Sequence, residues 1–180
     1  MLKIPKQYAS FEFIKPIKWN EVFDVWRKGE AWQESWKKHW REQGFDSWDE
    51  WREAYAVPLS PETLEWNLYE IRYPLKDFPL IYGVPSVSWI KKAYSGEKTK
   101  QLKEILDLPI IKDNLKILSI KKDFPKETMF TGIIYKDKII LVEGMHRASA
   151  LAGWDKNNLL NSKIIIALAN WDQKEIPTME

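Results

Sequence analysis

The sequence predicts a mixed α/β protein: a small mixed sheet with packed helices, preceded by a Trp-rich helical region. Three observations carry that prediction. Tryptophans recur at helical spacing over residues 19–51, two β-branched runs flank a polar turn at 136–138, and a glycine-bounded helix leads into a buried strand near the end. A chain of 180 residues is long enough for one real core. The texture changes near residue 70. Residues 1–70 read as a helical region packed on a second unit at 71–180, or the whole chain as one compact domain.

Of eleven tryptophans, seven fall between residues 19 and 51. Trp19, Val22 and Trp26 share one helical face, as do Trp32, Trp36 and Trp40, and Trp48, Trp51 and Tyr55. Charged and amide side chains fill the opposite faces. Gly29 and Gly44 read as the breaks between three helices, with Asp46 capping the third and Asp49 at its N3 position. Ser60-Pro61-Glu62 signals a fourth helix through "SPETLEWNLYE". Indoles at this spacing suit core packing, each burying about 150–250 Å². A platform for stacking sugars or bases is the alternative. His39, alone between Lys38 and Trp40, reads as a surface or capping histidine.

Further along, "IRYPLKDFPLIYGVPS" carries three prolines and reads as extended chain with turns. Ser86 or Ser88 opens a short helix to Tyr94, closed by Ser95-Gly96. "EKTKQLKEILDL" reads as a helix with Leu102, Ile105 and Leu106 inward, and "LKILSI" at 115–120 alternates as a strand does. "TGIIYKDKIILVEG" is a β-hairpin, residues 145–152 form a helix ended by Gly153, and "SKIIIALAN" is a buried strand.

Composition removes several chemistries. Without cysteine there are no disulfides, thiolate nucleophiles or Cys-based metal sites. No apolar run suits a signal peptide or a membrane span, so a cytoplasmic protein without membrane association is expected. The formal charge is +2, split unevenly: residues 1–70 hold 10 Lys+Arg against 13 Asp+Glu, and residues 71–180 hold 18 against 13. A basic second half suits an anionic ligand there, and also a generic solvated surface.

The densest chemistry lies in "LVEGMHRASALAGW", residues 141–154. A strand ends at Glu143, Gly144 turns the backbone, and a helix opens at Met145. The first amides of a helix lack intrahelical partners and sit at its positive end, and glycine lets an anion approach closely. The amides of Met145, His146 and Arg147, with the His146 and Arg147 side chains, can therefore hold a phosphate. An internal Glu143–Arg147 pair is the competing reading, and spacing alone leaves both open.

The stretch resembles the signature of the ParB/sulfiredoxin-like superfamily. Gly144, His146, Arg147 and Ala150 match its Gly-x-His-Arg-x-x-Ala form, between a preceding hairpin and a following Gly153 and strand. The resemblance covers roughly residues 110–170. It implies a fold of that type, with ATP, ADP or CTP phosphates bound at Gly144, Met145, His146 and Arg147, with or without Mg²⁺. Glu143 stands where relatives carry an acidic residue, and is the one carboxylate that can be argued as a catalytic base or metal partner. Met145 occupies the place of the sulfiredoxin cysteine, which excludes that chemistry. No helix-turn-helix is recognisable, so DNA is not the favoured partner. The expected function is phosphotransfer or nucleotide hydrolysis on a small-molecule substrate. The alternative is a non-catalytic DNA- or nucleotide-binding regulatory module, and a Trp-rich glycan or peptide binder is a third reading. Oligomeric state is not legible.

Overall fold

The computed structural model describes residues 2–8 and 10–180. Its frame is a five-stranded mixed sheet in the order β1-β2-β5-β3-β4. The strands are β1 (Phe11–Ile17), β2 (Trp66–Ile71), β3 (Glu127–Tyr135), β4 (Lys138–Glu143) and β5 (Lys163–Asn170). β3 and β5 run parallel, and the other neighbours are antiparallel. The mixed α/β class thus holds. The two strands before residue 72 pair into the same sheet as the three after residue 126, with Leu68 opposite Ala167 and Phe130 opposite Ile166. No helix among the described residues is long and apolar enough to cross a membrane.

The Trp-rich helices form where the aromatic spacing puts them: α1 (Trp19–Glu30), α2 (Glu34–Glu42) and α3 (Trp48–Ala56). Two boundary expectations shift. Gly29 lies inside α1, which runs on to Glu30. Ser47 rather than Asp46 caps α3, its hydroxyl accepting from the Glu50 amide. Gly44, at φ +84°, does break the chain after α2. Most indoles pack: Trp26, Trp48, Trp51 and Trp66 are buried and Trp19, Trp36 and Trp40 half-buried, while Trp32 stays 69% exposed.

Three expected elements are overturned. "SPETLEWNLYE" is no helix: Ser60 sits at φ 44°, one 3₁₀ turn follows, and Trp66–Ile71 is β2. A strand paired on both edges buries residues on both faces, and that apolar density imitates a helical stripe. Residues 97–108 keep only a single turn at Leu102–Glu104. Their backbone is taken by the 81–83 segment, where Gly83 N–H donates to Lys100 and Leu102 N–H to Ile81, both at 2.9 Å. "LKILSI" belongs to a helix rather than a strand. Asn114 caps it by accepting from the amides of Lys116 and Ile117. The proline-rich segment departs less: it holds extended chain around Tyr82, with short helical turns opened by Pro74 and continued through Phe78–Leu80.

The remaining helices are α4 (Pro74–Asp77), α5 (Val87–Ala93), α6 (Pro109–Lys112), α7 (Leu115–Lys122) and α8 (Met145–Ala152). Ser86 caps α5 and Gly153 ends α8, both as read from the sequence.

Buried polar bonds fix the helical layer on the sheet. The Trp26 indole donates to Thr131 Oγ1 at 2.9 Å, and the Tyr55 hydroxyl to the Val142 carbonyl at 2.8 Å. Between them Arg52 pairs with Glu30, at 2.7 and 2.5 Å, under the rings of Trp26, Trp36, Trp51 and Tyr55. Removing one partner of such a pair strands a charge away from water. Arg52→Ala is expected to lose about 3–5 kcal/mol in urea unfolding, and Glu30→Leu with Arg52→Met to lose far less. A loss below about 1 kcal/mol in the single variant would overturn this account.

Candidate functional site

β4 delivers Glu143 to the end of the sheet, and Gly144 turns the chain at φ +98°, ψ 20°. A Cβ there would lie 2.5 Å from Cδ1 of Phe130, so the turn requires glycine on both conformational and steric grounds. α8 starts at once. Its first internal bond runs from Ala148 N–H to the Gly144 carbonyl at 2.9 Å, and no side chain caps it. The amides of Met145, His146 and Arg147 precede the intrahelical ladder and point out of its positive end.

That end opens on a cleft of about 1520 Å³. All five residues singled out from the sequence, Glu143, Gly144, Met145, His146 and Arg147, line it. Met145 itself is 5% exposed and takes the Tyr94 hydroxyl on its sulfur, so its side chain is committed to packing. What it can offer a ligand is its amide.

Arg147 and Glu143 form the pair that spacing allowed, with Nη2 2.5 Å from Oε1. Arg147 Nη1 also donates to Thr128 Oγ1 and to the Met129 carbonyl, the latter at 3.1 Å, and its guanidinium lies 5.0 Å from the Phe130 ring centre. These bonds use three of the five guanidinium N–H donors and leave two for a ligand. Burial pushes the Glu143 carboxyl above the usual carboxylate range, against the opposing pull of Arg147.

His146 reaches the cleft beside Trp89, ring centres 5.7 Å apart. Burial, then the nearby charges of Lys116 and Arg147, pull its pKa down to about 4, so the imidazole is neutral near pH 7. Lys116 comes from α7. Much of its side chain is exposed, but the ammonium is crowded in against the Trp36 ring at 4.4 Å, and burial lowers its pKa. Its ammonium therefore rests on an aromatic face, where a phosphate oxygen would be the stronger partner.

The opposite wall belongs to the Trp-rich helices, with Trp26, Trp36, His39, Trp51, Arg52 and Tyr55 on the cleft. His39 is a surface residue as expected, but it also meets Trp51 edge-on at 5.2 Å. Reading the sequence missed Lys116, Arg52, Thr128 and Trp89 as cleft residues. Lys116 was recoverable, because an Asn two residues ahead of a lysine in an apolar run is an N-cap signal for a helix. Nothing local marks the other three.

Comparison with family models, curated proteins and solved structures finds no match for this chain.

Two outcomes test this geometry. Gly144→Ala is expected to destabilise the fold by roughly 1–3 kcal/mol in denaturant unfolding, through a left-handed residue pressed on Phe130. His146 titrates at about 4 in the folded chain and near 6.5 unfolded. The unfolded chain therefore takes the proton first. The contribution of His146 is whole above pH 6.5 and is lost as pH falls toward 4, a difference on the order of 3 kcal/mol. His146→Asn is expected to flatten stability against pH in that window, and an unchanged slope would refute the buried neutral imidazole.

Proposed function

We propose that the protein binds a nucleotide, ATP, ADP or CTP, with its phosphates at the start of α8, and uses it in phosphoryl transfer or hydrolysis on a small molecule. The carrying observation is one place in the cleft where three features meet. The uncapped first turn of α8 opens there, Arg147 keeps two donors spare, and Lys116 faces them from α7 with its ammonium on a ring. The resemblance of residues 110–170 to the ParB/sulfiredoxin-like superfamily supports the same assignment through Gly144, His146 and Arg147.

Phosphoryl transfer asks mainly for positioning and charge stabilisation. Gly144 permits close approach, three amides and Arg147 hold oxygens, and Glu143 has one carboxylate oxygen outside its bond to Arg147. No group of three or more His, Asp and Glu that could hold a metal occurs among the described residues. Mg²⁺ would therefore be held largely by phosphate oxygens and water, as is common for this ion. A chain with no cysteine to pair has no need of an oxidising compartment, and the cytoplasm is the proposed setting.

A second reading, a non-catalytic nucleotide- or DNA-binding module, draws on one observation. Both carboxylates deepest in the cleft are already bonded to arginines, Glu143 to Arg147 and Glu30 to Arg52. Duplex DNA is the weaker form of it, since seven Asp and Glu line the cleft against five Lys and Arg.

Isothermal titration of ATP, ADP and CTP with Mg²⁺ tests the phosphate site. Glu143→Gln with Arg147→Ala removes both charges together and strands neither. It is expected to weaken binding by about tenfold to a hundredfold, from ~1.5–3 kcal/mol per charge-assisted bond. Undiminished affinity in the folded double variant would overturn the site. Phosphate release by wild type that Glu143→Gln abolishes supports the enzyme. Tight binding without turnover, or a salt-steep gel shift on duplex DNA, supports the module instead.

A further inference from the structure

The start of α8 fills only one end of the cleft. The other end is walled by α2 and its capping residues Gln33 and Gln43, which divide sharply between them. Glu34, Lys37, Lys38, Arg41 and Glu42 carry its charges, while Gln33, Trp36, His39 and Gln43 line the cleft. Those four positions follow helical periodicity and form one face with no carboxylate and no amine. A charged helix that turns an aromatic and amide face inward is suited to a flat, uncharged group.

Trp36 is the centre of that face. It is half-buried, and lies 5.4 Å from Trp51 with the ring planes at 33°. His39 meets Trp36 edge-on at 5.8 Å. Gln33 and Gln43 line the cleft with Trp36, three residues before it and seven after; the Gln33 amide already donates one N–H to the Gly29 carbonyl and keeps its second N–H and its oxygen. α2 buries none of its own residues and is held to the core through Trp36 and Trp40. Across the cleft, Lys116 lays its ammonium over the Trp36 ring at 4.4 Å. Near the surface a contact of this kind is weak, and a phosphate is the better partner for an ammonium.

We infer that Trp36 is the stacking face for the ligand's aromatic base, and that Lys116 leaves this ring for the phosphates when a nucleotide binds. The inference rests on the phosphate site at α8 and names the other half of its ligand: a purine or pyrimidine ring, with Gln33 and Gln43 at its edges. Lys116 joins the two halves, because one movement supplies a cation to the phosphates and takes the ammonium off the ring, while Trp51 and the Arg52 guanidinium stay in place against it. Base stacking on indole tolerates different bases, which fits a site whose amides rather than its charges do the reading.

The test compares three probes, a nucleotide (ATP or CTP, whichever binds tighter), inorganic tripolyphosphate and the matching nucleoside, by titration against wild type, Trp36→Leu and Trp36→Phe. Wild type is expected to hold the nucleotide at least about tenfold tighter than tripolyphosphate, as one stacked base commonly provides. Trp36→Leu should collapse that gap and leave tripolyphosphate affinity unchanged, while Trp36→Phe should keep most of it. Equal affinities in wild type, or a gap that survives Trp36→Leu, would overturn the stacking face and leave the phosphate site standing. Nucleoside binding that depends on Trp36, with no binding of tripolyphosphate, would uphold the stacking face and sink the phosphate site. No binding of any probe overturns both.

Discussion

The arrangement depends first on Arg52, a guanidinium that is 7% exposed and held between the Glu30 carboxylate and four aromatic rings. A charge this far from water is tolerable only where the opposite charge and the remaining hydrogen bonds are in place. Glu30 ends α1 and Arg52 sits in α3, so the pair ties the two helices together. The Trp48 indole adds a third bond to Glu30 at 3.2 Å. The same helices reach the sheet through Trp26 on Thr131 and Tyr55 on Val142. One wall of the cleft is thereby fixed to the strands that carry the other. α2 lies outside this lattice of buried bonds, joined to it by partly buried indoles and by His39 against Trp51.

The Glu143–Arg147 contact first looks like an argument against a ligand, since it satisfies charge with charge. Its geometry says something narrower. Glu143 takes one edge of the guanidinium, and Thr128 and Met129 hold another nitrogen. An arginine anchored by three bonds loses little further freedom when its remaining donors meet a phosphate, so the ordering cost of binding is small. The carboxylate also answers a cation that would otherwise sit unfavourably at a helix N-terminus. The internal pair is therefore compatible with the proposed anion site, the same contact serving with and without a guest.

How much of this was legible in the sequence follows from how local each signal is. The 131–153 stretch could be read almost residue by residue. A two-residue turn at Lys136-Asp137, a glycine at φ +98° and a glycine stop after α8 are each written within a few positions. The Trp-rich helices were legible because bulky rings at i, i+3 and i+4 have few other uses. β2 was not. It gains its stability from β1 on one edge and β5 on the other, partners about 55 and 95 residues away in the chain, and Ser60-Pro61-Glu62 offers a local helix signal that tertiary pairing overrides. The site divides along the same line. The α8 loop could be found because it is one contiguous segment, whereas Lys116, Trp36 and Trp89 meet it only through the fold.

The charges around the cleft constrain what the proposed nucleotide has to bring with it. Arg52 is cancelled by Glu30 and Arg147 by Glu143, so neither arginine brings a net charge to a guest. What remains near α8 is the partial charge of its N-terminus, the Lys116 ammonium, and an imidazole held neutral by burial and by the cations beside it. That is enough for roughly one to two negative charges, and a nucleoside triphosphate brings about four. The difference has to arrive with the ligand, as Mg²⁺ on the phosphates, or as a proton taken up by His146 once an anion offsets Lys116 and Arg147. Both routes are consistent with a pocket whose own charges are mostly spent on holding the fold together. On the proposed nucleotide reading, selectivity would come from shape, ring stacking and amide donors more than from net field.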